Sequence, residues 1–347
     1  MLYPDYFDNI NDKPFKRYEK LEEKTLRLIA KKIKSILNGD DVYLSPAELE
    51  FIYKEIELIG DDVTEIVTQS GVDSYKNDVA IYQKGDKELK PFNENTLAKL
   101  AVLSAAEMVR ENFKNSNVGI ADTPINEYYN KIVTSVRNNK DIANPIINEL
   151  STKGLQFIGG NNVSMEVGIR RTITNSINKL SASLSLQNAS DMRQDLMELT
   201  AHTGARPSHA DWQGQIVSLS GRDGYLTLQD IGYGDVTGFL GINCRHNWYP
   251  FFEGISIRNY TNEELRNIDP KPFYDNDRFW TIYEATQRQR YIERNIRNAK
   301  RKIIVFDELE DERATRERIK LQRYRKEYRR FSNKAGLKLR YDNLYVA

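Results

Sequence analysis

Apolar residues recur at helical spacing over much of the first 150 positions. Tyr18, Leu21, Leu28, Ile29, Ile33 and Ile36 mark one face of a first helix. Asn11-Asp12-Lys13-Pro14 opens it, since a proline in the first turn forgoes no hydrogen bond it could have made. Asn38-Gly39-Asp40 closes it, because Asn and Gly tolerate the left-handed backbone at helix ends. Ser45-Pro46-Ala47-Glu48 is a capping box, followed by Leu49, Ile52, Tyr53, Ile56 and Ile59 at the same spacing, so a second helix starts at Pro46. Over residues 71–96 the pattern lapses, which predicts polar, irregular chain. It returns over residues 97–113, and Thr123-Pro124 and Asn144-Pro145 each pair a capping residue with proline. These segments predict helix hairpins suited to docking, with no catalytic cluster among them.

Residues 154–162, with Gly154, Gly160, Asn161 and Asn162, predict a linker. Met165, Val167, Ile169, Ile173 and Ile177 then predict a helix over 163–183. Between 192 and 252 the chain fills with Gly, Thr, Ser, Val and aromatics, the composition of short strands and turns. Ile216-Val217-Ser218-Leu219 and Tyr225-Leu226-Thr227-Leu228 are strand candidates, and Ser220-Gly221-Arg222-Asp223-Gly224 between them signals a hairpin. Thr261-Asn262-Glu263-Glu264 predicts a short helix. Long helical runs are then expected over 277–302 and 307–334, the second dense in charge pairs such as Glu312–Arg316. The fold class expected is α+β: a helical docking region (1–155), a small mixed α/β core with short strands (156–260) and a basic arm of long charged helices (261–347).

Composition narrows this picture. Apolar residues make up 39 % of the 347 positions and charged residues 29 %, so cores are small or elongated and much surface is solvated. A single Cys excludes an intramolecular disulfide framework. The start of the chain lacks the basic and apolar regions of a signal peptide, and no run of about 18 apolar residues occurs, so a cytosol-like compartment and no membrane span are expected. The net charge of +1 hides an asymmetry: residues 281–340 carry 19 Lys+Arg against 9 Asp+Glu. A basic tail on an otherwise acidic chain predicts either an electrostatic partner or simply a solvated helix pair.

The unusual residues collect in one place. All three histidines, His202, His209 and His246, lie within 45 residues of one another, with the only cysteine, Cys244, and with Trp212 and Trp248. The string His202-Thr203-Gly204-Ala205-Arg206-Pro207-Ser208-His209-Ala210-Asp211-Trp212-Gln213-Gly214 is followed by Gly241-Ile242-Asn243-Cys244-Arg245-His246 and Pro250-Phe251-Phe252. Three readings compete. Two or three His and one Cys could fill a tetrahedral zinc shell, but Cys-x-His matches no standard finger or ribbon spacing, and no metal or cofactor is expected. His202 or His209 could act as a general base near Cys244 or Ser208, with Arg206 or Arg245 holding an anion, though no spacing is diagnostic. Alternatively, buried His, Arg, Trp and Gln satisfy a Gly-rich backbone that cannot satisfy itself by ladder bonds.

The same residues carry a resemblance. His202 through Gly214, then Tyr233-Gly234, Gly238, Gly241, Asn243-Cys244-Arg245-His246 and Pro250-Phe251, resemble the phage minor capsid protein 2 family, with Gly204, Pro207, Trp212, Gln213, Gly214, Asn243 and Arg245 as its core motif. Ile29-Ala30-Lys31, Ser45-Pro46, the stretch around Arg170-Arg171, and Gln289-Arg290-Tyr291-Ile292-Glu293 extend the likeness over most of the chain. The closing Asn-Cys-Arg-His is also similar to the Asn-Cys-Arg-Cys of the Mu F-like head morphogenesis domain, but His246 stands at the last position, so a paired-cysteine role does not carry over. The resemblance implies a structural, non-enzymatic component of a tailed-phage virion. It would be present in several copies inside the head near the portal vertex, touching the portal protein and the major capsid protein. Packaged double-stranded DNA would be a sequence-independent partner, met by the basic arm through Arg297, Arg301, Arg318, Arg323, Arg325 and Arg330. The competing expectation is a virion-associated enzyme, a nuclease or an NAD-dependent transferase. It would use His202, Arg206, His209, Cys244 and His246 around a solvent-open pocket.

Overall fold

The computed structural model describes residues 2–8, 10, 12–40, 42–120, 123–138, 143–158 and 163–344. It is an α+β protein dominated by helices. In chain order these are α1 (Lys13–Leu37), α2 (Pro46–Lys84), α3 (Thr96–Lys114), α4 (Ile125–Asn138), α5 (Ala143–Lys153), α6 (Met165–Asp191), α7 (Pro207–Ala210), α8 (Asn262–Arg266), α9 (Ile282–Glu308) and α10 (Arg313–Lys334). The strands are β1 (Asn117–Ile120), β2 (Thr123–Pro124), β3 (Gln156–Ile158), β4 (Val163–Ser164), β5 (Leu196–Leu199), β6 (Ile216–Ser218), β7 (Trp248–Pro250), β8 (Phe273–Asp275) and β9 (Arg278–Trp280). They form antiparallel sheets of order β2-β1-β3-β4, β6-β5-β7 and β8-β9. Among the described residues no helix is long and apolar enough to cross a membrane.

The chain divides into two compact units built from non-consecutive segments. One comprises Met1–Asn11, Val63–Glu111 and Arg170–Glu284, and the other Asp12–Asp62, Asn112–Ile169 and Ala285–Ala347. The boundaries expected at 155/156 and 260/261 coincide with none of these divisions.

Local signals at helix ends act as expected. Gly39 follows α1 at φ +100°. At the start of α2, the Ser45 hydroxyl accepts from Glu48 N–H at 3.3 Å while Glu48 accepts from Ser45 N–H at 2.7 Å. Asn11, the first residue of the expected α1 start, and Gly159, Gly160, Asn161 and Asn162 of the expected linker lie outside the described residues.

Four expectations are corrected. Residues 71–84 are not irregular but continue α2. Their polar side chains face polar partners on α6: the Ser74 and Ser181 hydroxyls meet at 2.7 Å, and buried Asp78 accepts from Ser185 (2.8 Å) and Asn188 (2.9 Å). A Cβ at Gly71 would sit 2.7 Å from Val102 and 2.8 Å from Leu180, so glycine there serves close packing. Part of the expected linker is β3, which pairs with β1 and turns Phe157 edge-on to Phe113 at 5.7 Å. Residues 225–228 form no hairpin strand: Leu226 makes an isolated parallel bridge to Val217, and Asp230 takes the Thr227 N–H and hydroxyl, each at 2.7 Å, bending the chain. Asp277 opens no helix. It lies with Asn276 at positive φ (59° and 49°), the geometry of a tight turn between β8 and β9.

The expected exposed arm is also corrected, because α9 is core. Ile292, Ile296, Ala299, Ile304, Val305 and Phe306 are buried, and so are two of its arginines. The Arg297 Nε lies 2.7 Å from a Glu166 carboxylate oxygen, and the Arg301 Nε 3.1 Å from Glu22. Glu22 is fully buried and also accepts from the Tyr18 hydroxyl (2.6 Å) and the Leu155 N–H (3.1 Å). Burial and the Glu22 charge hold the Tyr18 phenol well above its ordinary range. For Arg301 burial opposes the charge, but Glu22, Tyr18 and Glu166 outweigh it and raise the guanidinium. These guanidiniums are committed to buried carboxylates and present no surface to DNA. Neutralising one partner strands the other charge, so Glu22→Gln should destabilise the chain by about 3–5 kcal/mol in urea unfolding. A loss under about 1 kcal/mol would contradict this role.

Candidate functional site

The site begins with a backbone that lacks ladder partners. Between β5 and β7 the chain runs mostly through turns, and only three residues of β6 join the sheet. Its apolar floor is Ala182, Ala189, Met197, Leu199, Trp212, Val217, Ile231, Phe239 and Trp248. Trp248 donates its indole N–H to the Ala182 carbonyl at 3.3 Å, tying the segment to α6. The glycines of this region permit close backbone approach: a Cβ at Gly238 would meet the Gly232 carbonyl oxygen at 2.0 Å, and one at Gly241 the Val236 oxygen at 2.4 Å.

Fixed side chains then satisfy the turns. Arg206 precedes α7, where Pro207 takes the first helical position, and donates to the carbonyls of Thr237 (3.0 Å) and Ile242 (2.8 Å). Gly204, at φ +71°, donates its N–H to Asp269 at 2.7 Å. Gly214, at φ +68°, offers its carbonyl to Arg258 at 2.8 Å. Asn243, at φ +57°, donates its N–H to Asn175 at 3.3 Å. The next carbonyl, that of Cys244, accepts from the Asn178 amide. Arg245 donates to the Pro4 carbonyl at 3.1 Å and lies over the Phe7 ring.

His209 on α7 and Cys244 and His246 before β7 come together, all buried. The two Nδ1 atoms are 3.3 Å apart, and Cys244 Sγ is 3.9 Å from His209 Nδ1 and 3.6 Å from His246 Nδ1. His209 Nε2 faces the Thr237 carbonyl oxygen at 2.8 Å, and His246 Nε2 faces Gln213 Oε1 at 3.2 Å. Trp212 packs on both rings, at 4.5 Å from His209 and 4.8 Å from His246. His202 is half-buried, stacks on His246 at 4.4 Å, and does not join the three convergent donors. Ser208 is exposed.

Electrostatics favour neutral groups here. Burial lowers His209, opposed by the Thr237 carbonyl, and lowers His246 well below the ordinary imidazole range, helped by His202, His209 and Arg206. Burial also raises the Cys244 thiol. A buried neutral thiol beside buried neutral imidazoles is the opposite of a solvent-reached thiolate–imidazolium pair.

The sequence-expected site residues thus separate. His209, Gln213, His246 and Cys244 form one cluster, Arg206 and Asn243 serve the backbone around it, and Trp212 packs against it. Of the six basic-arm residues, Arg318, Arg323, Arg325 and Arg330 are exposed, whereas Arg297 and Arg301 are buried. Sequence reasoning missed Asn178, Asp269 and the Glu198–Asn259 pair (2.9 Å from the Asn259 N–H), for which an isolated Asn, Asp or Glu offers no signal.

Comparison with known proteins decides the relationship. The family model described as phage minor capsid protein 2 matches residues 2–333. The chain belongs to this family. It is also similar to two curated proteins, each named "Structural protein". That of Lactococcus phage LL-H is 31 % identical over 150 residues, 42 % of this chain and 38 % of the relative. That of Lactococcus phage mv4 is 34 % identical over 85 residues, 24 % of this chain and 60 % of the relative. The matched segments therefore span less than two thirds of either relative. No solved structure matches. Family membership makes the protein a minor capsid, structural component of a bacteriophage virion.

The geometry predicts what loss of His209 does. His209→Ala removes one of the two donors to the Thr237 carbonyl, which keeps Arg206, and opens a void beside Trp212, so the lost buried hydrogen bond and the void together should cost about 1–3 kcal/mol. Half-buried His202→Ala should cost under about 1 kcal/mol. Thermal melting of both variants checks this, and an unchanged midpoint for His209→Ala would contradict it.

Proposed function

We propose that this protein is a vertex component of the phage head. It lies inside the particle, docks on the portal and neighbouring capsid through helical surfaces, and lies against packaged DNA without reading its sequence. Family membership over residues 2–333 is the observation that carries this reading. Two surface features support it. On α3, Leu97, Leu100, Leu103 and Met108 are exposed, a large apolar offering for a helix at the protein surface. On α10, Arg316, Arg318, Lys320, Arg323, Arg325, Lys326, Arg329 and Arg330 are exposed, while Ala314, Glu317, Tyr328, Phe331 and Ser332 are buried. Arg318 and Arg330 are already paired with Asp307 and Glu327, at 2.7 and 2.8 Å, which makes Arg323 and Arg325 the better phosphate donors. No observation favours the enzyme reading, since His209, Cys244 and His246 are buried against one another and Arg206 is spent on backbone carbonyls.

Two substitutions separate the docking and DNA parts. Leu100→Glu with Leu103→Glu changes exposed positions only, so the chain should fold yet be depleted from particles assembled with it. Wild-type incorporation would remove α3 as the docking surface. Arg323→Gln with Arg325→Gln should lower the slope of log affinity for DNA against log salt by about 2, roughly one per phosphate contact. An unchanged slope would remove α10 from DNA contact.

A further inference from the structure

We propose that His209, Cys244 and His246 form a zinc site with three protein ligands. The distances come first. A tetrahedral zinc with Zn–N of about 2.0–2.1 Å and Zn–S of about 2.3 Å separates its nitrogen ligands by about 3.4 Å and nitrogen from sulfur by about 3.6 Å. The three donor atoms here stand at 3.3 Å (N to N) and at 3.6 and 3.9 Å (S to N), within a few tenths of an ångström of those edges.

The protons point the same way. Gln213 Oε1 accepts the His202 N–H at 3.0 Å, which fixes that amide with its oxygen toward the cluster. His246 Nε2 faces the same oxygen, so Nε2 carries the hydrogen and Nδ1 the lone pair. His209 Nε2 faces the Thr237 carbonyl, so its Nδ1 is also a lone pair. Two lone pairs therefore face each other at 3.3 Å with a single thiol hydrogen available between them, which can serve only one. A cation in their midst satisfies both, and the sulfur as well.

The surroundings are those of a metal centre. Ligating histidines characteristically donate the other ring N–H to a carbonyl or carboxylate oxygen, fixing the tautomer. Here the Thr237 carbonyl and the Gln213 amide oxygen take that part. The Asn178 amide holds the Cys244 carbonyl, and Trp212 packs on both imidazoles, so the donors are held in place by groups that do not themselves bind the ion. Two imidazoles and a thiolate without a carboxylate suit zinc rather than magnesium or calcium. Among the described residues no further His, Cys, Asp or Glu joins the group, which leaves the fourth tetrahedral position to water. Binding replaces the S–H bond with S–Zn and releases one proton to solvent. The ion would clamp α7 to the segment before β7, joining residues 35 apart in sequence.

The test uses the full chain, stripped with a chelator, shown to be folded by circular dichroism and titrated with Co²⁺. The site predicts one equivalent bound, tetrahedral d–d bands, a thiolate-to-cobalt charge-transfer band and displacement of cobalt by zinc. Because Cys244 is the only cysteine, that band identifies it in the wild-type chain even if Cys244→Ser fails to fold. Gln213→Ala should keep the spectrum but weaken zinc in competition by about 10–100-fold, the effect of losing an outer-shell partner. A folded wild-type chain that takes up no stoichiometric cobalt or zinc, or binds cobalt without the thiolate band, would overturn the proposal.

Discussion

The structure depends on satisfying a backbone that secondary structure does not satisfy. Between β5 and β7 nearly fifty residues make few ladder bonds, yet they enclose Trp212, Phe239 and Trp248. An unpaired buried carbonyl or N–H costs about as much as a lost hydrogen bond, so each must find a fixed partner. Arg206, His209, Asn178 and Asp269 are those partners, and their geometry determines where Cys244 and His246 lie. The residue types of this cluster suggest catalysis, and its contacts tie it to the chain around it, His209 to the Thr237 carbonyl and His246 to the Gln213 amide.

The same economy appears elsewhere in the chain. With 39 % apolar residues, the interior is built in part from paired polar groups. Asp78 on α2 is answered by Ser185 and Asn188 on α6, and Glu22 and Glu166 are answered by Arg301 and Arg297 on α9. Buried pairs of this kind add little net stability compared with apolar packing, but they punish misalignment, because a slipped helix leaves a charge alone. For a virion part, a single well-defined shape is the useful property.

That interior also explains what the sequence could and could not reveal. Helix starts at Pro46 and Asn262, the end at Gly39 and the α+β class were legible because caps and glycines act locally. The run of α2 past residue 70 was not, since its buried face mixes Tyr75 and Tyr82 with Ser70, Ser74 and Asp78, polar residues that read as solvent-facing until α6 is placed opposite. Arg297 and Arg301 looked like part of a basic surface for the same reason. The turn at Asn276-Asp277 was hidden by two non-glycine residues at positive φ, and strands β1 to β4, at two to four residues each, are too short for alternation to show. The histidine cluster was visible as a concentration of rare residues. Which nitrogen faces which neighbour is a fact of three dimensions.

A structural role in the particle is the claim on which the account turns. Its most direct measurement is the copy number of the chain, by quantitative mass spectrometry, in purified DNA-filled particles and in particles lacking the genome. The account predicts the same small number of copies in both, since the proposed docking on a protein vertex would not require DNA. Absence of the chain from both kinds of particle would contradict it.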